Sequence, residues 1–115
     1  MQDKFYIINL EKKLITDLDK YLTNFLHKEI ELKREIMNTS YEILKITYKA
    51  NITYSNDKRN NLQDKIIADI KYIDYLINKC YDKKIINSKK YLRFGESLNY
   101  LLKYVLAWYK VTIGV

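Results

Sequence analysis

The stretch that decides the fold is Leu62-Gln63-Asp64-Lys65-Ile66-Ile67-Ala68-Asp69-Ile70-Lys71-Tyr72-Ile73-Asp74-Tyr75-Leu76-Ile77-Asn78-Lys79-Cys80. Leu62, Ile66, Ile70, Ile73, Ile77 and Cys80 recur at steps of 4, 4, 3, 4 and 3. That is the period of one face of an α-helix, not of a strand. Asp57 and Asp64 stand near its start and Lys79, Lys83 and Lys84 near its end, signs that suit the helix dipole.

Working outward, Asn51-Ile52-Thr53-Tyr54-Ser55-Asn56-Asp57 precedes this helix and is rich in turn formers, and Ser55, Asn56 or Asp57 can cap it. Asn87-Ser88 breaks the period on the other side, with Ser88 a natural N-cap. A fourth helix is predicted over about 89–112, with Tyr91, Phe94, Leu98, Leu102, Val105, Trp108 and Thr112 in phase. Upstream, Leu10, Leu14, Leu18, Leu22 and Phe25 predict a first helix over about 5–25, and residues 24–28 a turn. A second helix then starts near Glu29, with Ile30, Ile36, Ile43, Leu44 and Thr47 on one face and Met37 and Tyr48 on its shoulder.

The chain has no proline, and its only glycines are Gly95 and Gly114, so interior helix breakers are nearly absent. Gly95, on the core side of the fourth helix, predicts a close approach of a facing helix. Four amphipathic helices with short connections pack most simply as an all-α, antiparallel up-down-up-down four-helix bundle. The 115 residues make one domain, 1–115. A chain of this size buries roughly 65% of the surface exposed when unfolded, enough for a self-standing core.

No apolar run approaches the ~20 residues that span a bilayer, so no membrane partner is expected. Met1-Gln2-Asp3-Lys4-Phe5-Tyr6 lacks the basic start and apolar stretch of a secretion signal. The one cysteine, Cys80, cannot form an internal disulfide, which fits a reducing cytosol and predicts a cytoplasmic protein. Its phase with the core stripe makes it a small apolar filler rather than a reactive thiol. Lys, Ile, Asn and Tyr are heavily used; AT-rich codon usage explains the twelve tyrosines more simply than base stacking does.

No catalytic constellation is legible. His27 is the only histidine and lies in a predicted turn among charged residues, so sites built on several histidines, or on zinc-finger cysteine spacing, are excluded. There is no Gly-rich phosphate loop. Glu29, Glu31 and Glu35 alternate with Lys28, Lys33 and Arg34 as a solvated helix start. Asp69 and Asp74 flank the third core stripe without the Glu-x-x-His pairs of a diiron bundle. The reading is of a protein that is not an enzyme, without cofactor, metal or small-molecule substrate.

Charge is lopsided. Residues 1–57 carry nine Lys/Arg and nine Asp/Glu, whereas residues 58–115 carry twelve and five, a balance of +7. Lys79, Lys83, Lys84, Lys89, Lys90 and Arg93 surround the turn between the third and fourth helices, opposed along that stretch only by Asp82. Lys103 and Lys110 continue the charge along the fourth helix. Lys58 and Arg59 with Lys65 form a second cluster at the opposite end of the bundle, and Lys71 lies between. These nine clustered residues are the expected nucleic-acid contacts. A solvated, lysine-rich surface is the plainer alternative. Lysines outnumber arginines, so contacts follow backbone charge more than base sequence.

The chain also resembles a known family. Ile85-Ile86-Asn87-Ser88-Lys89-Lys90-Tyr91 is similar to the turn before the last helix of the accessory variability determinant (Avd) proteins of diversity-generating retroelements. These are relatives of the four-helix-bundle proteins encoded in intervening sequences of bacterial 23S ribosomal RNA genes. Tyr91, Leu98, Leu102 and Trp108-Tyr109-Lys110 resemble that helix's aromatic start, apolar spacing and closing tryptophan-x-lysine. Phe25-Leu26-His27-Lys28 stands where the family has a Phe-Pro-Lys turn, and Leu32-Lys33-Arg34-Glu35-Ile36 and Ala50-Asn51 resemble the two ends of its second helix.

The likeness runs over about 14–112. It departs in the missing proline, in Asp74 and Asn78 where the family tends to carry arginines, and in Leu106-Ala107 where it has small residues. The resemblance implies a basic homopentamer that associates with a reverse transcriptase and its template RNA and supports mutagenic cDNA synthesis. The competing expectation is a helical protein–protein adaptor of a mobile element, or a ribosomal intervening-sequence protein that contacts no nucleic acid. Tyr41, Tyr48, Tyr72, Tyr75, Tyr100, Tyr104 and Tyr109 are candidates for subunit contacts or for the roof of the core.

Overall fold

The computed structural model describes residues 4–114, so Met1, Gln2 and Asp3 of the N-terminal reading lie outside the described residues. Four helices follow one another: α1 (Lys4–Tyr21), α2 (Ile30–Asn51), α3 (Asn56–Asp82) and α4 (Ser88–Thr112), with a short 3-10 turn, His27–Glu29, before α2. Among the described residues there is no strand.

Each helix packs against its neighbours in sequence, and α1 closes the ring against α4. Side-chain contacts fix the directions. The start of α1 meets the second half of α4 through Tyr6 and Tyr100, and its end meets the start of α4 through Tyr21 and Lys90. Gln63 near the start of α3 bonds Thr112 at the end of α4, and Glu29 just ahead of α2 pairs with Lys83 just beyond α3. All these pairs are antiparallel, so the chain is the all-α, up-down-up-down four-helix bundle its periodicity predicts. The extents are 44 × 23 × 19 Å. The 27-residue α3, about 40 Å long at 1.5 Å per residue, sets the long dimension.

The third stripe reads into the core almost unchanged. Ile66, Ile70, Ile73, Ile77 and Cys80 are buried, with Leu62 packed against them. Leu14, Leu18, Leu22, Ile36, Ile43, Phe94, Leu98, Val105 and Trp108 complete it, joined by Ile7, Leu76 and Leu101 from shoulder positions. One expected face residue, Ile30, and the shoulder residue Tyr48 are exposed, and Ile46 and Ala50 are buried in the same helix. Ile30 is the first residue of α2, at the bundle's rim, so it has less cover than the mid-helix positions.

Two boundary readings and one packing expectation are corrected. The first helix ends at Tyr21, not near residue 25. Leu22 and Phe25 keep the apolar spacing, but a non-helical chain through Thr23 and Asn24 also buries Leu22 and packs Phe25 against the core, so spacing alone could not locate the stop. The cap of α4 is Asn87, whose Oδ1 accepts the Lys90 backbone N–H at 2.9 Å, while Ser88 is already helical. Ser55 caps α3 as expected. Gly95 makes no close helix contact: a Cβ built there meets nothing within 4 Å.

Candidate nucleic-acid interface

Antiparallel packing brings the α3–α4 turn and the end of α1 to the same end of the bundle. The turn has a specific backbone form. Ile85 N–H bonds Cys80 O at 2.9 Å and Lys84 N–H bonds Tyr81 O at 2.9 Å, the crossed pair of a Schellman motif. Ile85 and Cys80 are both buried, so the motif carries its usual apolar clasp. Such a motif needs one left-handed residue, normally glycine, and here it is Lys84 at φ 61°.

The expected contacts of this turn divide by what holds them. Lys79 lies over the Tyr75 ring, 5.5 Å from its centroid. Lys83 faces Glu29 at 3.8 Å. Lys79, Lys83 and Lys84 follow or close α3, where the dipole favours cations. Lys89 and Lys90 stand in the first turn of α4, which contains no acid and where the dipole disfavours cations. Lys90 is offset by its bond to the Tyr21 carbonyl at the end of α1, whereas Lys89 has no such partner among the described residues.

Lys90 Nζ donates to Tyr21 O at 3.0 Å. Arg93 lies over the Tyr21 ring at 5.2 Å, and Lys20 is also 5.2 Å from that ring's centroid. Lys89, Lys90 and Arg93, with Tyr21 and Asn87, line one pocket of about 210 Å³. A neighbouring hollow of about 650 Å³ shares Asn87 and Lys90 and is lined further by Asn24, Tyr81, Asp82 and Lys84. Tyr81 and Tyr91 stack with centroids 4.4 Å apart.

The second predicted cluster lies at the opposite end and behaves differently. Arg59 is committed to the α2–α3 turn: its Nε donates to Ala50 O at 3.2 Å, one NH group to Thr53 O, and the other to Asn56 Oδ1 at 3.3 Å. It satisfies carbonyls that the end of α2 leaves open. Lys58 is exposed, and its backbone N–H is the one capped by Ser55. Lys65 lies on a shallow hollow with Lys45, Lys49 and Glu42. Burial raises the pKa of the nearby Asp69, and the Glu42 carboxylate raises it further. Acids and bases thus alternate along that seam, whereas the α3–α4 end gathers cations. The basic residues therefore form two groups, at opposite ends of the bundle.

Two features of the molecule were not in the sequence reading, and only the first lies in this site. Tyr21 is one: its helix position marks it as a core shoulder, and nothing in its spacing announces contact with α4. Glu11 is the other, a fully enclosed acid with its Oε2 2.6 Å from Thr47 Oγ1. Desolvation pushes its pKa up to about 8, against the lowering effect of the Thr47 bond. Thr47 Oγ1 is also 3.0 Å from Ile43 O and has a single hydrogen. In the protonated state Glu11 donates to Thr47, which donates to Ile43 O, so every hydrogen has an acceptor. A parallel relay runs from Gln63 Nε2 to Thr112 Oγ1 at 2.9 Å and on to Trp108 O at 3.2 Å.

Among the described residues no group of three or more His, Cys, Asp or Glu side chains is placed to hold a metal ion, and no helix is long and apolar enough to cross a membrane. Comparison with protein-family models, with curated proteins and with solved structures finds no match for this chain.

Proposed function

We propose that this protein is a non-enzymatic nucleic-acid-binding bundle that holds phosphate with the end formed by the α3–α4 turn and the close of α1. In this reading it acts like the retroelement accessory proteins it resembles, as a homo-oligomeric partner of a reverse transcriptase and its template RNA. The observation that carries the proposal is the placement of Lys89 and Lys90 in the acid-free first turn of α4, beside Arg93. The Tyr21 carbonyl accounts for Lys90, whereas Lys89 stands against the α4 dipole with no such partner among the described residues. A polyanion supplies the missing counter-charge.

The test is retention of structured RNA between about 50 and about 200 mM salt. Binding should weaken steeply with salt, with a log–log slope near −3 for about four phosphate contacts. Reversing Lys83, Lys84, Lys89 and Lys90 to Glu should abolish retention and leave the circular dichroism unchanged. Changing Lys58 and Lys65 to Gln should matter far less. Retention that survives the fourfold reversal overturns the assignment of this end. Light scattering near five times the mass of one chain supports the oligomeric part, and a lone chain removes it.

A second reading has its own observation. Ile52, Tyr54, Val111 and Ile113 are exposed at the end away from the basic turn, with Tyr54 at 98%. Leu26 and Leu92 are likewise exposed at the basic end, and exposed apolar groups at both ends of the bundle fit a protein partner. If RNA is not retained even at low salt, the helical-adaptor reading stands alone.

A further inference from the structure

The two hollows at the basic end differ in shape from a surface that follows a duplex. A duplex presents its phosphates along a convex ridge, which a flat or grooved strip of lysines can follow. The pocket between α1 and α4 is small and concave, about 210 Å³, and admits the end of a ligand rather than its side. Two of its three cations are also fixed in place. The Tyr21 carbonyl holds Lys90 at 3.0 Å, and the Tyr21 ring holds Arg93 at 5.2 Å. One residue of α1 thus draws together two cations of α4, with its own neighbour Lys20 on the same ring.

The one acid of the pocket, Asp17, accepts a bond from Lys13 at 3.0 Å and is partly neutralised by it. Arg93 brings a planar fork that matches two oxygens of one phosphate. A phosphomonoester carries close to two negative charges near neutral pH, more than a backbone diester, and suits a site with several positioned cations. The adjoining hollow, which shares Asn87 and Lys90, offers the Tyr81 ring and the Asn24 amide to a nucleoside attached to that phosphate.

We infer that Tyr21, Lys89, Lys90 and Arg93 form a pocket for a single terminal phosphate, that of a nucleic-acid strand end, with the end nucleoside in the neighbouring hollow beside Tyr81. Tyr21 is a positioning residue in this site; Arg93 and the two lysines touch the phosphate. The inference rests on the nucleic-acid reading above and adds to it that the chain distinguishes strand ends.

The experiment titrates the full chain with short single-stranded RNAs carrying a 5′-phosphate, a 3′-phosphate or hydroxyls at both ends, at one ionic strength. One phosphorylated end should bind about tenfold more tightly than the hydroxyl form, and inorganic phosphate should compete away that difference. Arg93→Gln and Tyr21→Leu should erase the difference; Tyr21→Phe, which keeps the ring under Arg93, should retain it. Lys103→Gln, a loss of one charge elsewhere on α4, should leave it intact.

Equal affinity for all three RNAs overturns the end-recognition pocket and leaves the nucleic-acid reading standing. Failure of every RNA to bind overturns that reading, and a nucleoside monophosphate followed by NMR then decides the pocket. Shifts centred on Tyr21 and Arg93 uphold a phosphate site, and their absence removes it.

Discussion

Arg59 and Arg93 are the two arginines of the basic half of the chain, one at the turn leading into α3 and one beyond the turn leading out of it. Arg59 donates to two backbone carbonyls and a side-chain amide, and its charge is used in closing α2 onto α3. Arg93 rests on the face of Tyr21, and among the described residues no acceptor is bonded to its guanidinium. Equal charges in the sequence are therefore unequal in the molecule. One belongs to the fold, and the other is oriented and left with its hydrogen-bond donors available.

Four changes break or sharpen that contrast, and the largest concerns the background on which it is measured. Glu11 has its folded pKa raised from 4.5 to about 8. The folded state then holds a proton that the unfolded state releases, so stability falls as pH rises from the unfolded pKa through the folded one. Between about pH 5 and pH 8 the urea midpoint should drop, and Glu11→Gln should remove most of that slope and stabilise by about 3 kcal/mol at pH 7. A slope equal in the two proteins would show that Glu11 titrates normally.

Next is Arg59→Ala. It strands the carbonyl of Thr53 and leaves that of Ala50 with only backbone N–H partners, Thr53 among them, and should cost about 2 kcal/mol in denaturant unfolding, while RNA affinity changes by less than about threefold. A large loss of affinity with no loss of stability would invert the contrast.

Lys84→Gly separates the two roles within one residue. Glycine suits the left-handed φ of 61° and should stabilise by about 1 kcal/mol, yet the loss of the cation should weaken RNA binding. If both measurements move the same way, Lys84 has no part in binding.

Gly95→Ala gives the smallest effect. The position is helical with open space around its Cβ, so alanine should add about 0.5–1 kcal/mol without changing affinity. A destabilised variant would restore the close approach that the sequence predicts at this glycine.

The fold was largely legible because a helical stripe and its burial are the same physical fact seen twice. The steps from Leu62 to Cys80 could have only one inward face, and that face is buried. Where one sequence pattern serves two backbones, the reading slipped. Leu22 and Phe25 fit a helix or a non-helical crossing, and Asn87 and Ser88 are both competent caps. The glycine was misread because its lack of a side chain implies a tight contact only when a neighbour is present.

The candidate site was half legible. Clustering of lysines about the α3–α4 turn is written in the chain, but the role of Tyr21 depends on which helix closes the ring, a relation between residues 69 positions apart. Glu11 went unread because an acid on an amphipathic helix is ordinarily placed on the wet side, and only the packing of α2 against it shows otherwise.

Cys80, enclosed between the end of α3 and the clasp at Ile85, gives the molecule a timer of its own. Burial, with help from the Glu29 carboxylate, pushes its thiol up to about 11, so the folded chain offers alkylating reagents neither access nor thiolate. Labelling can proceed only when the core around Cys80 opens, so its speed reads how often the folded chain opens there, with no dye or tag added.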